Sequence, residues 1–225
     1  MCGARMGCDF EYDSEGSGSN KKSKTSTTWR YIDLAQDSDA WLEWRKGGIG
    51  GSDIPILMGV SPYQGKTDFP RNAYELYLEK TGLEQRPRKE SFVMAMGHEM
   101  ERYARHQYEL RYGYEIPGRC IQSKRVPYHR LSLDGDALDR GIIVEIKWGK
   151  NKAMETARSQ EVPLKWIYQI QYQLMITKAE VCYNVVTDGV DIERVPVFPC
   201  KDTHAALKKN TKRFWECVQS KEWTY

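Results

Sequence analysis

Apolar and polar positions change rhythm several times along this chain, and each change predicts an element. "SDAWLEWRKGG" sets Trp41 and Trp44 three apart, with Ser38 or Asp37 as cap and Gly47-Gly48 as stop, which predicts a short helix. "GIGGSDIPILMGV" predicts a glycine-rich loop running into a short apolar helix. "RNAYELYLEKTG" predicts a second helix with Gly82 as its C-cap. A charged loop follows over 83–90. "SFVMAMGHEMERYARHQYELRYG" carries Met96, Met100, Tyr103, Ala104 and Leu110 as an apolar stripe and predicts a long helix. Residues 114–149 alternate as strands do. "PLKWIYQIQYQLMITKA" predicts a helix with Pro163 near its first turn. "VCYNVVTDGVDIERVPVF" predicts a hairpin around Asp188-Gly189, and 202–222 a basic C-terminal helix. The order is helices, strands, helix, hairpin, helix, without internal repeats.

Residues 1–28 break these rhythms. Gly, Ser, Thr and Lys dominate there, which predicts a disordered tail, with 29–225 as a single domain. The tail's KKSK is a weak basic signal and reads more simply as a solvated linker.

Composition narrows the function little. The net charge of +3 permits a polyanionic partner without requiring one. The six cysteines are scattered with no CxxC pair, which argues against a zinc or iron–sulfur site and for reduced thiols in an intracellular protein. No apolar run approaches the roughly 18 residues that span a bilayer.

The chemistry concentrates in "LSLDGDALDRGIIVEIKWGK", residues 131–150. Glu145 and Lys147 interrupt the apolar run Ile142, Ile143, Val144, Ile146, and a charge in a core strand is costly unless something binds it. Asp139-Arg140-Gly141 is a turn signal. A two-residue loop at 139–140 sets Asp134 opposite Glu145. A loop at 140–141 sets Asp134 opposite Lys147 and Asp136 opposite Glu145. Either even loop puts Asp134, Glu145 and Lys147 on one face, because side chains alternate with period two. Facing carboxylates repel unless a cation sits between them, and carboxylate oxygens are what Mg²⁺ prefers. A nearby lysine then orients a metal-bound water or stabilises a crowded phosphate. The pattern suits metal-assisted phosphodiester hydrolysis. Taken alone, it is more often a plain cross-strand Glu–Lys pair.

Three further features point the same way, although each has a plain structural explanation. In "RKGGIGGSD", Arg45 and Ser52 flank a glycine loop at a helix start, a place that binds phosphate or merely turns and caps. In "MGHEMER", His98 and Glu101 share a helix face and reach toward the hairpin, unless Glu101 only pairs with Arg105. In "WIYQIQYQL", Gln169 and Gln173 put amides on an apolar helix, to hold DNA or a metal-bound water or to form a solvated stripe.

Together these segments, in this order from about Trp41 to Val186, resemble the YqaJ-type viral recombinases. These are phage lambda exonuclease-like nucleases of the PD-(D/E)XK superfamily. The resemblance implies an α/β (α+β) fold with a mixed sheet flanked by helices. It implies a Mg²⁺-dependent exonuclease, with two ions per site and Mn²⁺ as a substitute, that degrades linear double-stranded DNA processively 5′→3′. The 3′ overhangs left behind serve homologous recombination. By motif match, Asp134 and Glu145 are metal ligands, joined by the Ile146 carbonyl and by Glu101. Lys147 positions the attacking water, and Gln169 sits near it. Arg45, Ser52 and Ser132 take the DNA phosphate. The family also implies a homo-oligomer, a ring-shaped trimer, and a single-strand annealing protein as partner, in a bacterial cytoplasm or in the cytoplasm or nucleus of a virus-infected cell. The chain departs from the family at Leu133, often Pro, at Trp148, often the start of Cys-Pro, and in the long "SPYQGKTDFPRN" segment. Two other functions fit the same core: a structure-specific endonuclease and a non-catalytic DNA-end-binding scaffold.

Overall fold

The structure is a computed structural model that describes residues 28–63, 69–84 and 92–225. The predicted tail 1–28 up to residue 27, most of the charged loop and the middle of SPYQGKTDFPRN lie outside the described residues. A short strand β1 (Trp29–Ile32) leads to helix α1 (Asp39–Lys46), a 3₁₀ turn at Gly51–Asp53, α2 (Ile54–Leu57), α3 (Ala73–Thr81) and the long α4 (Phe92–Tyr112). Strands β2 (Arg119–Ser123), β3 (Arg130–Leu133), β4 (Gly135–Ala137) and β5 (Ile142–Trp148) follow. Then come α5 (Asn151–Arg158), α6 (Leu164–Thr177), β6 (Val181–Thr187), β7 (Ile192–Val197) and α7 (Lys201–Ser220).

Capping follows the sequence. Ser38 Oγ accepts from Trp41 N at 3.2 Å and starts α1. Gly82 closes α3 at φ 73°, a left-handed conformation that glycine adopts without penalty. Two elements escaped the sequence pattern: β1, four residues long, and α5, whose short amphipathic run follows directly on β5.

The strands form two sheets. One has the order β1-β2-β3, all antiparallel. The other has the order β4-β5-β6-β7, with β5 and β6 parallel and the outer pairs antiparallel. The parallel pair needs a crossover, and α5 and α6 supply it. The expected mixed sheet with flanking helices is therefore present. The stretch read as one strand, 131–138, instead breaks at Asp134, with β3 in one sheet and β4 in the other.

The loop between β4 and β5 is even, as expected, but it holds four residues (138–141), not two. Leu138–Arg140 form a 3₁₀ turn and Gly141 at φ 72° closes it. The register pairs Gly135 with Val144, so the next pair along the strands is Asp134 with Glu145.

Helix α4 corrects another expectation. Its buried positions are Ala104 and Tyr108, while Leu110 is 67% exposed. The face at 104 and 108 packs on Val144, Ile146 and Val185 of the four-stranded sheet, and Leu110 lies off it. On the opposite face of that sheet, Ile143 and Cys182 join a core with Ile170 and Leu174 of α6 and Phe214 of α7. Strand β5 is thus covered on both sides, with odd-numbered residues toward α6 and even-numbered ones toward α4.

Candidate active site

That alternation carries Glu145 into the layer beneath α6, where it is 1% exposed. Its Oε1 accepts from Lys147 Nζ and from Gln169 Nε2, the latter at 2.5 Å. Its Oε2 accepts from Gln173 Nε2 at 2.5 Å. The glutamines one turn apart on α6 therefore grip both oxygens of one carboxylate, and the stripe is not solvated. Burial works against the Lys147 ammonium, but Glu145 and Asp134 outweigh it and hold its pKa above the ordinary lysine value. The Lys147 ammonium thus donates to Glu145.

Asp134 occupies the break between β3 and β4. Its Oδ2 accepts from Ile146 N at 2.8 Å, and its backbone oxygen accepts from Arg105 Nε at 2.9 Å. Arg105 also donates to Glu101 Oε1 at 2.6 Å, so one guanidinium ties Glu101 of α4 to the Asp134 backbone. Burial first, then the carboxylates of Glu145 and Glu101, push the Asp134 carboxyl well above its usual range. Burial likewise raises Glu101; Arg105 offsets this in part and Glu145 adds to it. Glu101 thus feels the Glu145 charge, and it makes the Arg105 pair of the plainer explanation.

The glycine loop builds the other half of the site. Ile49 N donates to Tyr128 O at 2.7 Å and Arg130 N to Ile49 O at 3.1 Å, which lays the loop beside the start of β3. A Cβ on Gly48 would sit 2.7 Å from Tyr128 O, so this close approach requires glycine. Asp53, 6% exposed, accepts from Gly50 N at 2.9 Å and from Lys80 Nζ at 2.8 Å. Burial opposes ionisation of Asp53, but Lys80 and Arg45 hold its carboxyl below the usual range. The loop so fixed presents Ser52 Oγ to Arg45 Nη2 at 2.8 Å, and the Arg45 guanidinium lies 4.6 Å over the Trp41 ring. Trp41 Nε1 donates to Ser132 Oγ at 2.9 Å.

One cavity of about 240 Å³ joins the two halves. Arg45, Ser52, Ser132, His98, Asp134 and Gln169 all line it. His98 faces Asp37 at 3.7 Å. The sequence missed the roles of Lys80 and Trp41 and the reach of Arg105 to the Asp134 backbone. Those partners lie 27 to 91 positions away in the chain, and no spacing rule reaches so far.

Among the described residues, no three His, Cys, Asp or Glu side chains stand arranged to hold a metal ion. The donor chemistry nevertheless fits one. Asp134, between β3 and β4, and Glu145 of β5 are hard oxygen donors, and a divalent cation offsets both the burial and the neighbouring carboxylate charge that raise Asp134. The described cysteines, Cys120, Cys182, Cys200 and Cys217, are unpaired. No described helix is long and apolar enough to cross a membrane.

Two sheets flanked by helices, with Asp134 at a strand break and Glu145 and Lys147 on the neighbouring strand, make an α+β fold with its acidic group beside the mixed sheet. Residues 40–180 match the YqaJ-like viral recombinase domain, and the chain belongs to that family. A curated relative, the uncharacterized protein YqaJ of Bacillus subtilis, is 28% identical over 144 residues, covering 63% of this chain and 43% of its own length. The chain thus aligns with less than half of that relative. An alkaline exonuclease from Laribacter hongkongensis superposes with a TM-score of 0.66 at 19% identity, over 82% of this chain and 94% of that one. The same enzyme in complex with dAMP gives 0.65 at 19% identity over the same shares. A phage-related exonuclease from Haemophilus somnus gives 0.53 at 11% identity, over 77% of this chain and 96% of that one. At these identities the likeness is one of fold.

Proposed function

We propose that this protein is a Mg²⁺-dependent exonuclease that degrades linear double-stranded DNA from its ends, processively 5′→3′, leaving 3′ overhangs for recombination. One observation carries this function: a single cavity runs from the Arg45–Ser52 pair to Asp134 and Gln169. The Arg45–Ser52 pair and the Asp134 carboxyl therefore face the same space, with Gln169 linking it to Glu145 behind, which supports removal of a terminal nucleotide. The Laribacter exonuclease was solved with dAMP, a product of the kind such removal yields.

In this proposal Arg45, Ser52 and Ser132 seat the terminal phosphate, so that the next phosphodiester lies over Asp134 and Glu145. Those two carboxylates, with the Ile146 carbonyl and Glu101, would hold the ions. The bound cation supplies Lewis-acid polarisation of the phosphate and an acidified water. Lys147, kept protonated, holds Glu145 and offers positive charge to the crowded phosphate. Gln169, bridging Glu145 and the cavity, orients the carboxylate and the water beside it. The cleaved P–O bond leaves a nucleoside 5′-monophosphate and a new 5′ end. Mn²⁺ would substitute for Mg²⁺ because the donors are hard oxygens. A homo-oligomer, a ring-shaped trimer, and a single-strand annealing partner belong to the same proposal by family likeness.

The test compares 5′-phosphorylated linear duplex with covalently closed circular duplex, each with Mg²⁺ and with EDTA, beside Glu145→Ala. The expected result is release of mononucleotides from linear DNA only, with Mg²⁺ only and by wild type only. End-labelling then reads polarity. Cutting of the circle would replace the exonuclease with a structure-specific endonuclease. DNA binding without cleavage under every metal would leave an end-binding scaffold.

A further inference from the structure

Asn184 in β6 is in register with Glu145 across the parallel β5–β6 pair. Residues in register on neighbouring strands project to the same face, so both side chains stand under α6. Asn184 is fully buried, yet neither Nδ2 nor Oδ1 makes a hydrogen bond. Gln173 Oε1 is likewise buried without a partner, while Gln173 Nε2 donates to Glu145. Buried amides almost always find partners, because their desolvation is otherwise uncompensated. Here a spare donor and a spare acceptor flank the same carboxylate. The neighbours of Asn184 on the same face of β6, Cys182 and Val186, are both buried. An apolar side chain at 184 would fill this layer without the cost of a buried amide, so packing does not explain the asparagine.

Glu145 supplies the explanation. Its two oxygens already accept from Lys147, Gln169 and Gln173. Lys147 and Gln169 together occupy Oε1, so a cation that binds there displaces one of them while the carboxylate must still be held. We propose that Asn184 is a positioning residue for Glu145. Its Nδ2 is a reserve donor behind the carboxylate, beside the Gln173 donor already in place, and grips it when Lys147 and Gln169 turn to substrate. This inference rests on the hydrolytic function proposed above.

The experiment uses Asn184→Leu, which removes the amide at similar volume, and Asn184→Ser, which keeps a hydroxyl. Melting temperature is measured without metal, and kcat and KM are measured on 5′-phosphorylated linear duplex. For Asn184→Leu we expect a Tm equal to or above wild type and a KM within about twofold. Its kcat should fall by about tenfold to a hundredfold, as small misplacements of a reacting group cost. Asn184→Ser should recover part of kcat. A kcat within about twofold of wild type overturns the inference. So does a loss of kcat that follows a fall in Tm in both variants, since that marks a purely structural role. If Asn184→Leu does not fold, Asn184→Ser decides by the same two quantities. If wild type binds DNA ends without hydrolysing them, the hydrolytic function fails and this inference with it. If wild type is active and Asn184→Leu is unchanged, only the inference fails.

Discussion

Arg45 Nη2 donates to Ser52 Oγ at 2.8 Å across the glycine loop, with its guanidinium stacked on Trp41. A neutral hydroxyl and an aromatic face thereby fix the guanidinium at the cavity wall, while Lys80 makes the direct ion pair with Asp53. Arg45→Ala should raise KM on 5′-phosphorylated ends by about tenfold to a hundredfold, the worth of a charge-assisted contact. On 5′-hydroxyl ends the same variant should change little. Initial rates on the two substrates check this, and equal losses on both would remove Arg45 from phosphate binding.

The Asp134 carboxyl, raised by burial and by Glu145 and Glu101, sets a pH dependence. A carboxyl raised in the folded chain binds its proton more tightly than in the unfolded chain. Its contribution to folding is therefore full below the ordinary value of 3.8 and is lost as pH rises through the raised value. In EDTA, Asp134→Asn should lack that component, so its melting temperature should gain on wild type as pH climbs. Because cation and proton compete for the same oxygens, Mg²⁺ affinity of wild type should also rise with pH over that window. Melting curves in EDTA and calorimetric Mg²⁺ titrations across pH check both. A constant difference between the two melting curves would show that Asp134 does not titrate there.

His129 works in the opposite direction. Its ring is buried between β3 and α7, with Nε2 3.2 Å from Thr211 Oγ1, and burial lowers its pKa from 6.5 to about 4. The neutral form is the one the fold accepts. Its contribution is present above pH 6.5 and is lost as pH falls toward 4, a loss of about 3 kcal/mol for a shift of this size. Denaturant unfolding of wild type and His129→Gln across that window should show the acid loss in wild type alone. Parallel curves would refute it.

Gly135 follows the strand break at Asp134, and a Cβ there would lie 2.9 Å from both Ile116 Cδ1 and Val144 Cβ. Gly135→Ala should destabilise the fold by about 1–3 kcal/mol through overpacking. It should also shift Asp134 and reduce hydrolysis beyond what the fraction folded explains. Unfolding and rates measured together check this, and an unchanged stability would show that Ile116 gives way freely.

Local pattern sufficed for much of this protein. Ser38, Gly82 and Pro163 marked helix ends because caps act within a few residues. The period of two in β5 placed Glu145 and Lys147 on one face before any fold was known. The even loop was legible because only an even register keeps Asp134 with them. The long stripe of α4 misled at Leu110, since periodicity alone does not say which side the sheet occupies.

By itself, then, the sequence determined all the elements but β1, α5 and the β3–β4 break, the one-sided placement of Asp134, Glu145 and Lys147, and the family. Tertiary structure alone decided that the strand breaks at Asp134 between two sheets, that Gln169 and Gln173 both turn to Glu145, and that Lys80, Arg105 and Asn184 stand behind the site. The physical reason is range. Caps, turns and alternation arise from neighbours along the chain. A buried carboxylate is held by whatever distant side chains the packing brings to it, and those partners leave no spacing to read.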